Sequence, residues 1–156
     1  MAHRLRELTA AAGALFIVND HVDIAMAGGA DGVHLGPDDL SVAAANRLAG
    51  ERLLVGASAS TTEAAANAVA EGADYLGSGP AFATPIKSRK GVIGPDGIAA
   101  LTAAVTVPVF AIGGIDETNI NELTDRGLRR VCVIRAVGDA VDPEAATRRL
   151  RAMLDR

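Results

Sequence analysis

Two acidic residues and one lysine-bearing loop are the parts of this sequence best suited to chemistry. Asp20 and Asp39 each follow a short apolar run, at 15–18 and 33–35. Carboxylates at the ends of neighbouring strands can share a hard divalent cation such as Mg²⁺, whose other ligands are waters and substrate phosphates. Either residue could instead cap the helix that follows it, and Asp38 reads as a solvent-facing neighbour. The loop lies within residues 75–94, YLGSGPAFATPIKSRKGVIG. It leaves an apolar pair, Tyr75 and Leu76, breaks at Gly77, Gly79 and Pro80, and then carries Thr84, Lys87, Arg89 and Lys90. Glycine amides can approach an anion with no Cβ in the way. Long loops inside compact domains are usually lids or binding loops. Together these features read as a mobile clamp over a phosphate-bearing ligand, against the plainer reading of a solvated surface loop.

Other polar residues also follow apolar runs: Asn19, Gly36, Ser58, Ser60, the pair Gly113–Gly114, and Arg135 with Gly138. In parallel α/β folds, ligands bind beyond the carboxyl ends of the strands. The glycine pair and the turn at Arg135 follow the last two runs, where barrels of this class often hold a phosphate. Glycine amides, a helix start and a guanidinium fork all suit a phosphate monoester. His34, between Val33 and Leu35, reads as a hydrogen-bonded core histidine rather than an acid or base. Cys132, the single cysteine, lies in an apolar run and reads as a core residue, with no disulfide or metal spacing open to it.

The elements that position these residues alternate. Short apolar runs recur at 15–18, 33–35, 53–55, 75–76, 109–112 and 131–134, separated by alanine-rich segments with helix signals. Ser60 and Glu63 have capping-box spacing, and Gly72 suits a helix end. Pro95 and Pro143 fall at plausible first helical positions, and Asp116 can cap a helix running toward Gly127. Nearly continuous apolar strands between helices predict a parallel α/β sheet. Gly29–Ala30–Asp31–Gly32 is echoed by Gly72–Ala73–Asp74–Tyr75 and, more degenerately, by Gly127–Leu128–Arg129–Arg130. That echo supports a repeating βα unit. A closed barrel needs eight such units over about 250 residues. Six runs therefore predict a (β/α)₈ TIM-barrel type truncated to about six units, with an open sheet as the structural alternative.

Composition narrows the function. The 156 residues are 49% hydrophobic and 22% charged, with a formal net charge of −4. The expectation is one globular domain over 1–156, with no basic run to track nucleic acid. No apolar stretch reaches membrane-spanning length and the first residues do not read as a signal peptide, so a cytoplasmic protein is expected.

In order and at matching spacing, six segments resemble the thiamine-phosphate synthase family, which includes thiazole tautomerase relatives. They are IVND (17–20), ADGVHLGPDDL (30–40), GASAST (56–61), GSGPAFATPIK (77–87), PVFAIGGI (108–115) and VCVIRAV (131–137). The resemblance implies a barrel that couples hydroxymethylpyrimidine pyrophosphate to thiazole phosphate and releases pyrophosphate. By position, Asp20 and Asp39 would hold Mg²⁺, and Asn19 and Ser58 would contact the pyrimidine pyrophosphate. Lys87 would neutralise the leaving group and is, with Ser58, the catalytic candidate. Thr84, Gly114, Ile134 and Arg135 would receive the thiazole phosphate. The resemblance also implies that residues 1–12 are the remnant of a helix behind two absent βα units. Open sheet edges would then invite a homo-oligomer or a separately encoded N-terminal piece. A copy that only binds a phosphorylated thiazole is one alternative. A thiazole tautomerase is another, although Ser60 stands where that branch would place a histidine. An unrelated sugar-phosphate isomerase is a further alternative, sharing the glycine-pair turn but not the pairing of Asn19–Asp20 with Asp39.

Overall fold

The computed structural model describes residues 1–83 and 91–156. The chain forms two compact units, residues 1–59 with 63–76 and residues 60–62 with 77–156.

The first unit runs α1 (Ala2–Ala11), β1 (Ile17–Asn19), α2 (Val22–Ala27), β2 (Gly32–Leu35), α3 (Val42–Ala49), a single 3₁₀ turn, β3 (Leu54–Ser58), most of α4 (Thr62–Ala70) and the start of β4 (Tyr75–Ser78). Strands β1, β2 and β3 are parallel neighbours, with Ile17 opposite Gly32 and Gly32 opposite Leu54. Val33, Leu35, Val55 and Ala57, alternate residues in register with one another, are all buried and mark one buried face of the sheet, whereas Leu54 and His34 at the intervening positions are more open. The helices between the strands present alanine inward: Ala25, Ala45, Ala49 and Ala65 are fully buried. Alanine favours helix and, lacking bulk, lets a helix lie close on a sheet.

The repeated Gly-Ala-Asp has a physical basis. Gly29 and Gly72 adopt positive φ (63° and 94°) and end α2 and α4. The following alanines are buried, and their amides return to Ala25 and Ala68 carbonyls at 2.9 Å. The aspartates then stitch neighbouring segments together. Asp31 Oδ2 accepts the Phe16 amide and Asp74 Oδ2 accepts the Val55 amide, each at 2.7 Å. Their own amides donate back to the Phe16 and Val55 carbonyls at 2.8 Å. Asp31 also pairs with Arg6 of α1. Its carboxyl is held below the usual carboxylate range, chiefly by the Phe16 amide and further by Arg6.

The second unit continues β4 and adds α5 (Gly94–Ala103), β5 (Val109–Ile112), α6 (Ile120–Thr124), β6 (Val131–Cys132), α7 (Arg135–Gly138) and α8 (Pro143–Leu154). β5 and β6 are parallel, with Ala111 opposite Val131. Strand order in the sheet follows chain order from β1 to β6. Ile98, Leu101, Ala111, Ile120 and Leu123 form the buried centre of this unit. α8 buries Ala146 and Leu150, four residues apart on one face, and packs on α6 and α7. The third echo repeats its backbone but not its stitch. Gly127 has φ 76° and the Leu128 amide returns to Leu123, yet Arg129 replaces the aspartate and reaches the Leu154 carbonyl.

Several local expectations shift. α4 starts at Thr62, so Ser60 lies too early to be its N-cap. Asp116 does not cap α6, whose N-cap position is Asn119; its carboxylate instead accepts the Thr118 amide at 2.8 Å. Asp142 does cap α8, accepting the Ala145 amide at 2.9 Å, with Pro143 in the first turn. Leu15 lies outside β1 and is exposed, and the last strand stops at Cys132 rather than at residue 134. Cys132 is exposed, not a core residue, because the strand ends there. Among the described residues no helix is long and apolar enough to cross a membrane.

Candidate functional site

In the first unit Asn19 ends β1 and Asp20 follows it, His34 lies in β2, Ser58 ends β3, and Asp39 lies in the turn past β2. Asp20 has φ 67°, a left-handed conformation that aspartate tolerates better than most side chains. Its amide donates to the His34 carbonyl at 2.8 Å, which ties the end of β1 to β2. Its Oδ1 accepts the Asn19 amide group at 2.6 Å. Asp39 Oδ2 accepts the Gly36 amide at 2.7 Å, folding residues 36–39 into a turn just past β2.

The capping alternatives for both aspartates fall here. α2 has His21 at its N-cap with no side-chain bond, and α3 is capped by Ser41, whose Oγ accepts the Ala44 amide at 3.3 Å. Each carboxylate therefore keeps accepting capacity, and neither is in an ion pair among the described residues. Among the described residues no three ligating side chains gather into a cage. Asp20 and Asp39 each offer hard carboxylate oxygen, the donor type that Mg²⁺ takes alongside waters and phosphates.

Ser58, exposed at the end of β3, has its Oγ 3.0 Å from His34 Nε2. His34 Nδ1 lies 3.2 Å from the Tyr75 hydroxyl, and the two rings are 5.5 Å apart at 33°. The reading of His34 as hydrogen-bonded holds, but the ring is only half-buried and its partners are polar side chains at strand ends. Residue 56 must be glycine for this arrangement: a Cβ there would overlap the Tyr75 ring.

In the second unit a cavity of about 280 Å³ lies beyond β5 and β6. Its lining includes Gly79, Pro80, Gly113, Gly114, Cys132 and the 134–136 turn. Gly113 and Gly114 have φ 98° and 68°, and a Cβ on Gly114 would lie 2.8 Å from the carbonyls of Phe82 and Ala83. Asn119 holds this turn: its Nδ2 donates to the Gly114 carbonyl at 2.8 Å and its Oδ1 accepts the Asp116 amide at 3.0 Å. Asp116, at the cavity wall, has its carboxyl lowered by the Thr118 hydroxyl and amide, with Arg135 adding to the effect. Partial enclosure pushes the Cys132 thiol up, away from the reactive thiolate. Ile134 and Arg135 are exposed at the mouth.

Of the residues singled out from sequence, Asn19, Asp20, Asp39 and Ser58 therefore fall in the first unit, and Gly114, Ile134 and Arg135 fall in the second. Thr84 and Lys87, with Arg89 and Lys90, lie outside the described residues. Sequence reasoning missed the links from Tyr75 to His34 to Ser58, and the brace supplied by Asn119. The signal for the first was Gly56 inside an otherwise filled strand, since a glycine there often marks close approach of another group.

Parallel βα units in chain order, with polar residues at the strand ends and a glycine-walled cavity past the last strands, define a chain of the TIM-barrel type. Comparison makes the assignment specific. The profile of the family described as Thiamine monophosphate synthase matches residues 1–137, and the chain belongs to that family. It is 48% identical over 154 residues to a thiamine-phosphate synthase of Chloroflexus aurantiacus, covering 98% of this chain and 71% of the relative. It is 48% identical over 147 residues to one of Gloeobacter violaceus, covering 94% of this chain but only 43% of the relative. The chain thus spans less than half the length of some curated relatives it matches. The solved thiamine phosphate pyrophosphorylase of Pyrococcus furiosus is 42% identical, with a TM-score of 0.90, over 99% of this chain and 74% of that one.

Proposed function

We propose that the protein is a transferase of thiamine biosynthesis, coupling hydroxymethylpyrimidine pyrophosphate to thiazole phosphate with release of pyrophosphate. The observation that carries this reading is that Asp20, past β1, and Asp39, in the turn past β2, are each anchored through a backbone amide and left without a cationic partner among the described residues. Bound there, Mg²⁺ would supply positive charge against the departing pyrophosphate. Asn19 orients Asp20 and, with Ser58, contacts the pyrimidine pyrophosphate. Lys87 adds charge against the leaving group. The Gly114 amide and the backbone at Ile134 and Arg135 receive the thiazole phosphate, with Thr84 on the same side. In the reaction the pyrimidine's C–O bond breaks, its electrons leave with the pyrophosphate, and the thiazole nitrogen forms the new C–N bond. Donors fixed before the reaction stabilise the separating charge without reorganising.

A cytoplasmic location fits this metabolic role. A homo-oligomer would cover open sheet edges, and the solution mass tests for one. A second reading, in which the chain binds the thiazole phosphate but does not turn it over, is favoured by the cavity being walled entirely by residues of the second unit. The test is turnover: purified chain, both substrates and MgCl₂, with thiamine phosphate and pyrophosphate measured by chromatography. Product in 1:1 ratio with pyrophosphate supports the synthase. Thiazole phosphate binding without product supports the second reading.

A further inference from the structure

We propose that Tyr75 and His34 form a relay that fixes the Ser58 hydroxyl as a hydrogen-bond donor, directed at an acceptor atom of the pyrimidine pyrophosphate. The inference rests on the synthase reading for its ligand but on geometry for the relay. A neutral imidazole carries one proton on two nitrogens, so its two side-chain bonds must run in the same sense. His34 Nδ1 is 3.2 Å from the Tyr75 hydroxyl and Nε2 is 3.0 Å from Ser58 Oγ. Two directions are open. In one, Tyr75 donates to Nδ1, Nε2–H donates to Ser58, and the serine proton points elsewhere. In the other, Ser58 donates to Nε2, Nδ1–H donates to Tyr75, and Ser58 is left as an acceptor only.

The chemistry favours the first direction. A phenol, with a pKa near 10, is a stronger donor than an alkyl alcohol. Conjugation with the ring also makes its oxygen the poorer acceptor. Consecutive bonds running in one sense polarise one another, so Nε2–H is strengthened by the proton arriving at Nδ1. The fold holds the relay at both ends. Gly56 leaves the space the Tyr75 ring fills, and the His34 carbonyl accepts the Asp20 amide at 2.8 Å. Ser58 is exposed, so a donor proton turned away from His34 is available to a ligand. Tyr75 and His34 are thus positioning residues acting through Ser58.

Two measurements on the full chain decide it. The first is ¹⁵N–¹H long-range spectroscopy of the histidine rings at a pH where His34 is neutral, with its signals assigned by their loss in His34→Gln. The relay predicts the Nε2–H tautomer in the wild type and a shift toward Nδ1–H in the near-isosteric Tyr75→Phe. An Nδ1–H ring in the wild type, or no change in Tyr75→Phe, overturns it. The second is a double-mutant cycle read as the dissociation constant of pyrimidine pyrophosphate with Mg²⁺. One hydrogen bond corresponds to roughly 3- to 10-fold in affinity, so His34→Ala weakens binding by about that factor. His34→Gln, which keeps a donor near the Nε2 position, recovers most of the loss. In a Ser58→Ala background His34→Ala has no further effect, because the group it acts through is gone. Equal losses in both backgrounds refute the relay and leave His34 merely structural. If the wild type binds no pyrimidine pyrophosphate, the synthase reading fails, and the ring spectra still decide the direction of the bonds.

Discussion

Substituting Gly56 by alanine tests the packing that the first unit's polar cluster depends on. A Cβ at this position would overlap Cζ, Cε1 and the hydroxyl of Tyr75, so the ring must swing away or β3 must move. Gly56 does not have positive φ, so the backbone accepts alanine and only space is at issue. Overpacking by one methyl costs about 1–3 kcal/mol. Displacing the ring also gives up the Tyr75–His34 hydrogen bond, about 0.5–1.5 kcal/mol. The sum is about 2–4 kcal/mol. With a urea slope of about 2 kcal/mol/M, the middle of the usual range, that sum corresponds to a fall of about 1–2 M in the unfolding midpoint. Adding Tyr75→Val removes the obstacle, so Gly56→Ala should cost about 1 kcal/mol or less in that background, a coupling that only residues in contact show. A midpoint within 0.3 M of wild type for the single variant, or strict additivity in the double, would refute this reasoning.

Three further outcomes follow from particular contacts. The Asp31 carboxyl is lowered in the folded chain, so its stabilising contribution is complete above the unfolded carboxylate value and is lost as pH falls through the folded one; Asp31→Asn should flatten the acid limb of the stability–pH curve below about pH 4. Ser78 is fully buried in β4 and its hydroxyl has no hydrogen-bond partner among the described residues, so Ser78→Ala should leave thermal stability unchanged or raise it by up to about 1 kcal/mol, where a clear loss would mean that a bond is being made. Gly114→Ala meets both a positive φ and two carbonyls at 2.8 Å, so it should lose about 1–3 kcal/mol and weaken thiazole phosphate binding at least 10-fold by calorimetry.

The frame was readable because its signals are local. Apolar runs broken by glycine mark the strands, and the Gly-Ala-Asp echo marks two helix-to-strand turns through a positive φ and a carboxylate that reaches the adjoining segment. The strand-end rule offered Asn19, Asp20, Asp39 and Ser58 alongside Gly36, Asp38 and Ser60, and the family resemblance narrowed them. What stayed hidden depends on residues distant in sequence. His34, Ser58 and Tyr75 meet across 24 and 41 positions, and no periodicity announces that. Asp116 looked like a cap because its type suits one, but Asn119 lies closer to the helix start and Asp116 turns to Thr118. Cys132 looked like core because its neighbours are apolar; the strand's early end at that residue exposes it.

In the proposed reaction Asp20 and Asp39 together take a divalent ion that in turn takes the pyrophosphate group. Calorimetric binding of pyrimidine pyrophosphate, with and without Mg²⁺, to the wild type, Asp20→Asn and Asp39→Asn tests this most directly. The predicted result is Mg²⁺-dependent binding by the wild type that falls at least 10-fold in either variant, while thiazole phosphate binding holds. Binding that ignores the metal, or that survives both substitutions, would contradict it.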